Sequence, residues 1–265
     1  KVKKILEGRL QLEVEIDESA KNLLKDAEDE SMRFKRFADK AMQIRNNNID
    51  YGELQDYLRI LSATSFKRTL KPYQLLSSYH IAFSQNACNF SVPGSGKTTT
   101  VLAAYEYLRN TNDPSKKINK LLVVGPLAAF GAWKNEYKEC FGKEPLVLEI
   151  RGGIRNEIVE DALLRSNVPY DIIIASYGSV PSKIDILQSF LANNPSMVVL
   201  DEAHRIKNTE DGVQSNAALK LADNAKSRGI LTGTPAANSY VDLYNLYKFI
   251  WPSNNIIGYS IAQLA

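Results

Sequence analysis

Cysteine is scarce: Cys88 and Cys140 are the only two in 265 residues. Two unpatterned cysteines make neither a disulfide framework nor a zinc cluster, and they favour a reducing interior. Long apolar runs are missing as well. No stretch of about 18 residues could cross a bilayer, so no membrane partner is expected. Behind Lys1-Val2-Lys3-Lys4 lies a charged, alternating segment without the apolar core of a signal peptide. An excess of one charge is also absent, since 33 basic and 30 acidic side chains leave a net charge of +3. Nucleic acid would therefore have to be met by local placement of basic groups. Internal repeats and low-complexity segments are lacking too. The first residue is not Met, and the chain stops at Ile261-Ala262-Gln263-Leu264-Ala265 without a tail. Together these suggest a piece of a longer protein.

What remains is an ordinary globular composition, 44% hydrophobic and 24% charged. At about 150 residues per domain, the length fits one large domain or a domain with an accessory piece. Residues 1–69 read as the accessory piece. Leu10, Leu12, Val14 and Ile16 alternate with polar residues as in a half-buried strand. From Ser19 to about Arg45 the period turns helical, through Leu23, Leu24, Ala27, Phe34, Phe37, Ala38, Ala41 and Ile44. Asn46-Asn47-Asn48 breaks it. A second helix is expected over 51–61, burying Leu54, Tyr57, Leu58 and Leu61. Neither carries recognisable chemistry.

From Lys71 onward, short β-branched runs alternate with helical patterns. Strands are expected at 87–92, 121–125, 146–150, 171–176, 197–201 and 229–232. Helices are expected at 97–110, 128–140, 154–165, 183–192, 213–222 and 240–249. Runs such as Ile172-Ile173-Ile174 and Val198-Val199-Leu200 suit a sheet covered on both faces. The alternation implies βαβ units and a doubly wound parallel sheet, with ligands at the carboxyl ends of its strands.

Three motifs fall at such ends. Ser91-Val92-Pro93-Gly94-Ser95-Gly96-Lys97-Thr98 follows a strand and opens a helix, the order a phosphate-binding loop requires. Its glycines let backbone N–H groups close around phosphate, and the helix N-terminus adds partial positive charge. Pro93, Gly94, Ser95, Gly96, Lys97, Thr98 and Thr99 are the nucleotide-binding candidates. Lys97 would reach the β- and γ-phosphates of ATP, and the Thr98 hydroxyl would ligate Mg²⁺. Ser91 stands where Gly or Ala is common. Met197 through His204 ends an apolar strand in two carboxylates: Asp201 to hold Mg²⁺ and Glu202 to orient and deprotonate water. His204 stands beside them as a candidate contact to the γ-phosphate network. Ser227 through Pro235 ends another strand in the Thr232-Gly233-Thr234 turn.

The ordered set GSGKT, DEAH, TGTP resembles that of superfamily 2 helicases and translocases, and its flanks resemble the Swi/Snf-like ATPases. Leu70-Lys71-Pro72-Tyr73-Gln74 is similar to the family's Q-type motif, in which the Gln reads adenine. The string 122–127 with Trp133-Lys134-Asn135-Glu136 resembles motif Ia, 171–177 resembles motif Ib, and DEAHRIKN at 201–208 resembles motif II. Residues 231–238 are similar to motif III, and 243–252 to the helix after it.

The resemblance spans about residues 70–252. It implies the first RecA-like lobe of a P-loop NTPase, carrying a mainly helical N-terminal extension. Residues 253–265 would begin a linker toward a second RecA-like lobe. It implies an ATP- and Mg²⁺-dependent motor on the phosphate backbone of double-stranded DNA, inside the cell and in some cases within a multi-subunit complex. Pro126, Leu127, Ser176, Tyr177, Thr232, Gly233 and Thr234 are nominated as DNA-side or coupling elements, and Arg205 and Lys207 as additions to that grip. Trp133 and Trp251 read as core or interlobe packing. In the family the second lobe supplies arginine fingers, so this lobe alone is expected to bind ATP and hydrolyse it slowly. The compact lobe, with little between its motifs and no chromatin-reading module, leans toward a bacterial or phage translocase. A DEAH-type RNA helicase lobe is one rival, though those proteins tend to carry Ser-Ala-Thr where Thr232-Gly233-Thr234 stands. A non-hydrolysing ATP-gated scaffold is the other.

Overall fold

A computed structural model of the chain describes residues 18–207, 212–236 and 240–252. The alternating segment at 10–16 lies outside them, as do Asn208, Asn238 and residues 253–265. The apolar runs form six strands: β1 (Asn86–Asn89), β2 (Lys120–Gly125), β3 (Val147–Ile150), β4 (Ile172–Ser176), β5 (Ser196–Asp201) and β6 (Ser227–Leu231). They build one sheet in the order β1-β6-β5-β2-β4-β3, and every pairing among them is parallel. The helices are α1 (Glu18–Arg45), α2 (Tyr51–Ala63), α3 (Pro72–Ser84), α4 (Lys97–Asn110), α5 (Ala129–Phe141), α6 (Asn156–Glu160), α7 (Val180–Asn193), α8 (Val213–Ala222) and α9 (Asp242–Ile250).

Strand side chains alternate between two buried faces. Leu121, Val123, Ile172, Ile174, Met197, Val199 and Leu231 face a core shared with α2, α3, α4 and α5. Their neighbours Leu122, Val124, Ile173, Val198 and Leu200 are equally buried, as a doubly wound sheet requires. Helices α7, α8 and α9 pack in series, with α9 also against β6. Parallel pairing sends every strand's carboxyl end to the same edge, where the motifs collect.

Contact clustering gives two compact units, 1–36 and 37–265. Residues 37–69 thus share a unit with the sheet. Their link to it is aromatic: Tyr57 of α2 is fully buried, with ring centroids 5.8 Å from Tyr79, 6.3 Å from Phe83 and 5.0 Å from Tyr107. Asp50 starts α2 by accepting the Gly52 and Glu53 N–H groups at 2.9 and 3.1 Å. Within the same unit, Phe37 and Trp251 lie ring to ring at 6.3 Å. Trp251 is core packing.

Two expectations are corrected, and one helix was not expected. Leu58 is 44% exposed, and Ile60 is buried in its place. The helix expected at 154–165 is α-helical only over Asn156–Glu160 and finishes as a π turn, Asp161–Arg165. Helix α3 had no counterpart in the sequence reading. Its Pro72 sits at the first turn, where the missing N–H costs nothing.

Candidate nucleotide-binding site and its neighbours

The sheet order places β1, β6 and β5 side by side, so the phosphate loop, the Thr232–Thr234 turn and the Asp201–Glu202 pair end adjacent parallel strands. Two contacts tie them together. A Cβ on Gly233 would lie 3.1 Å from Pro93 Cδ, so the two turns approach at a distance that suits glycine. His204 Nδ1 lies 3.2 Å from Glu202 Oε2 and 3.3 Å from Thr232 Oγ1. His204 therefore joins the acidic pair to the Thr232 turn. Thr232 is fully buried and also accepts the Thr234 N–H at 3.2 Å.

Gly94 and Gly96 adopt φ of +79° and +82°, left-handed values that favour glycine. Gly96 caps α4 directly, so Lys97 and Thr98 occupy its first turn. Lys97 Nζ donates to the Ser91 and Val92 carbonyls at 3.0 and 3.2 Å, bending over the loop it serves. Ser91 supplies a device that Gly or Ala would lack. Its hydroxyl donates to Asn89 Oδ1 at 2.6 Å and lies 2.7 Å from Ser95 Oγ, bracing the loop across its base.

Gln74 is 7% exposed, and its amide is spent on the chain itself. Oε1 accepts the Lys71 N–H at 3.0 Å, and Nε2 donates to the Ser95 carbonyl at 3.1 Å. Gln74, the residue expected to read adenine, here buttresses the phosphate loop. The side chain of Thr99 is turned inward. It is buried, and its hydroxyl donates to Glu136, which also pairs with Arg68 at 3.3 Å.

Asp201 ends β5 with both carboxylate oxygens held. Trp133 Nε1–H donates to Oδ2 at 2.9 Å, and the Glu202 N–H donates to Oδ1 at 3.0 Å. Burial raises its carboxyl above the ordinary Asp value against the lowering pull of the Trp133 bond. Glu202 takes a left-handed φ of 50°, uncommon for a non-glycine residue, which turns its side chain away from the strand direction. The two carboxylates thus occupy different environments, one enclosed and one half-exposed.

Thr98 and Asp201 offer a hydroxyl and a carboxylate, hard oxygens of the class Mg²⁺ takes, and Mg²⁺ needs only one or two protein groups beside phosphates and water. The donor set fits that ion.

The DNA-side candidates divide. Leu127 is 52% exposed at the turn opening α5, and Arg205 and Thr234 are exposed. Pro126 is half-buried, its carbonyl accepting the Ala129 N–H at 2.9 Å. Ser176 and Tyr177 are buried, and their side chains serve the lobe's interior. Ser176 Oγ donates to Ser179 Oγ at 3.0 Å, and Tyr177 OH donates to the Asp201 carbonyl at 2.9 Å. Lys207 pairs with Asp242 at 3.1 Å, both largely buried, which ties the motif to α9 instead of freeing a cation for phosphate.

Trp133 went unrecognised as a site residue because its partner lies 68 positions away. An indole N–H inside an otherwise apolar helix face was the available signal, since a buried indole N–H usually finds an acceptor.

Fold and site together define a RecA-like P-loop nucleotide-binding lobe. The chain belongs to the SNF2-related domain family, whose profile matches residues 90–255. The Asp-Glu-Ala-His string is therefore the acidic motif of this family and does not mark a DEAH-box helicase. Among curated relatives, the ATP-dependent helicase FUN30 of Saccharomyces cerevisiae is 32% identical over 163 residues, 60% of this chain and 14% of that protein. The DNA repair and recombination protein RAD54-like of Gallus gallus is 29% identical over 206 residues, 72% of this chain and 27% of its own length. The chain thus spans about a quarter or less of these relatives. Among solved structures, the Sulfolobus solfataricus SWI2/SNF2 ATPase core in complex with dsDNA superposes with a TM-score of 0.58 at 24% identity. That match covers 77% of this chain and 40% of the other.

Proposed function

We propose that the chain is the ATP-binding lobe of a motor that moves on double-stranded DNA inside the cell. One observation carries the reading: a phosphate loop, an Asp-Glu pair and a Thr-Gly-Thr turn end three adjacent parallel strands and touch through Gly233 and His204. The names of the relatives, an ATP-dependent helicase, DNA repair and recombination proteins and a core in complex with dsDNA, support the DNA half.

The loop from Pro93 to Gly96 and the first turn of α4 bind the triphosphate through backbone N–H groups, with Lys97 adding its charge. Mg²⁺, bound with the nucleotide, neutralises phosphate charge. Thr98 and Asp201 would hold it, and Glu202 takes the proton of the attacking water. His204 carries the state of that centre to Thr232 and so to the turn facing Pro93. Leu127, Arg205 and Thr234 remain on the surface for DNA, where phosphate contacts are sequence-independent and salt-sensitive.

A second RecA-like lobe, in the parent chain, completes the reaction. An arginine finger is worth about 10³–10⁵-fold, so the lobe alone binds ATP and turns it over slowly. Residues 1–69 are an accessory extension in this reading, residues 70–252 the lobe, and 253–265 the start of the linker. The test is ATP binding and hydrolysis by the 265-residue chain, then by the parent protein with duplex DNA or RNA. Brisk turnover by the chain alone sinks the two-lobe reading. Stimulation by RNA and not by duplex DNA sinks the DNA reading.

A further inference from the structure

The carboxylate assigned to Mg²⁺ takes one of its two hydrogen bonds from a tryptophan in a distant part of the sequence. Trp133 is completely buried on α5, and its Nε1–H meets Asp201 Oδ2 at 2.9 Å. The other oxygen, Oδ1, takes the Glu202 N–H at 3.0 Å. Each oxygen thus has one fixed donor, which leaves its remaining lone pairs directed along set lines. The strand also brings Asp201 against Gly125, where an added Cβ would stand 3.4 Å from Asp201 Cβ. The aspartate sits in a slot with little freedom to turn.

We infer that Trp133 is a positioning residue for the metal-binding carboxylate, its indole N–H setting the rotamer in which Asp201 meets Mg²⁺. This inference rests on the reading of Asp201 as a metal residue. Packing alone would ask only for a large ring. A phenylalanine would fill most of the same volume but leave only the Glu202 N–H to fix the rotation of the carboxylate. Groups that orient a metal ligand from behind typically change metal affinity about 10–100-fold when removed. The helix that carries Trp133 starts at Ala129, two residues after Leu127. A displacement of that exposed turn therefore bears on the indole and through it on Asp201.

The experiment compares nucleotide affinity with and without Mg²⁺, using a fluorescent ATP analogue and the wild-type, Trp133→Phe and Asp201→Asn chains. In EDTA wild type and Trp133→Phe are expected to bind alike, because the phosphate loop is unchanged, and Asp201→Asn, which lacks one negative charge in the site, serves as the metal-blind reference. With Mg²⁺ titrated in, Trp133→Phe should need about tenfold more Mg²⁺ for half of the affinity gain, and Asp201→Asn should lose the gain. If Asp201→Asn loses the gain while Trp133→Phe keeps the wild-type Mg²⁺ dependence, the positioning role is wrong and the metal reading stands. If Asp201→Asn keeps the gain, the metal reading falls first.

A second measurement covers the case in which Trp133→Phe does not fold. In a Trp251→Phe chain Trp133 is the only tryptophan left, since the sequence has two. Its emission should shift when Mg²⁺ joins bound ATP, and the shift should vanish with Asp201→Asn added. Emission that ignores Mg²⁺ overturns the inference.

Discussion

The two ends of the sheet use aspartate in opposite ways. Asp171, just before β4 at the amino edge, is held by the Leu146 N–H at 2.9 Å, Tyr137 OH at 2.8 Å and Lys143 Nζ at 3.2 Å. Burial pushes its carboxyl up, but these three donors outweigh it and the net shift is below the ordinary Asp value. Asp201, at the carboxyl edge, is raised by burial despite its two N–H donors. By linkage the first stabilises the fold once ionised, and the second is a charge the fold would be more stable without. Positive φ does not separate the two edges: Glu202 at the carboxyl edge has φ 50°, and Gln85, just before β1 at the amino edge, has φ 59°. The two aspartates therefore differ in sign: the amino-edge charge is favoured by its donors, and the carboxyl-edge charge is disfavoured by burial where chemistry is needed.

The largest expected effect follows at the carboxyl edge. Glu202→Gln should leave ATP affinity within about twofold and cut hydrolysis by the parent protein by about 10²–10⁴-fold, the usual worth of a general base. Steady-state ATPase with duplex DNA beside equilibrium binding makes the comparison. Wild-type turnover removes Glu202 from the mechanism.

Next come the two loop glycines, which share a left-handed φ but not their surroundings. An Ala at either position meets about 1–2 kcal/mol of strain. At Gly96 its Cβ would also drive into the Gln74 amide, whereas at Gly94 nothing lies within 4 Å. Gly96→Ala should therefore weaken ATP binding by more than about tenfold, and Gly94→Ala by clearly less. Equal losses, read by titration calorimetry, would show that Gln74 yields and does not brace the loop.

At the amino edge the expected loss is stability, not chemistry. Asp171→Asn removes ionised acceptor capacity from three donors and should cost about 1–2 kcal/mol at pH 7. The pKa of Asp171 is lowered on folding, so its contribution is complete above the unfolded value of about 3.9 and is lost as pH falls through the folded value. The gap between wild type and variant in urea melts should close on acidification. ATP affinity should not move. A pH-independent gap would mean that lost packing, not the ionised network, explains the cost.

This division decides what was legible beforehand. Strand runs, the phosphate loop and the acidic pair show locally, because apolar patterning and motif chemistry are contiguous. Helix α4 begins at the Lys97 its loop implies. The strand order is not contiguous information, and neither are the partners it creates. Trp133 meets Asp201 because β5 returns beside β2 with β4 and β3 on the other side, and Lys207 meets Asp242 35 positions on, across β6 and α8. The motif at Gln74 likewise says nothing of the Ser95 carbonyl 21 residues later, to which its amide donates. The motif position that nominates Ser176 and Tyr177 as DNA-side or coupling elements does not tell that both side chains are buried.

The smallest predicted effect asks whether every residue at the carboxyl edge belongs to function. Arg205 and Lys207 flank Ile206 in one short 3₁₀ turn and its cap, yet they differ in surroundings. Arg205 is exposed, whereas Lys207 is committed to Asp242 beside the Asn245–Ile206 bond that docks the turn on α9. If exposure decides, Arg205→Ala should lower the salt dependence of duplex-DNA binding by about one phosphate, a change near 0.9 in the log–log slope. Lys207→Ala should leave that slope unchanged and instead cost stability, since it removes a largely buried ion pair that ties the turn to α9. Fluorescence anisotropy across a salt series, paired with thermal melts, separates the two. A slope change from Lys207 alone would return it to the DNA side and show that its ion pair opens when DNA arrives.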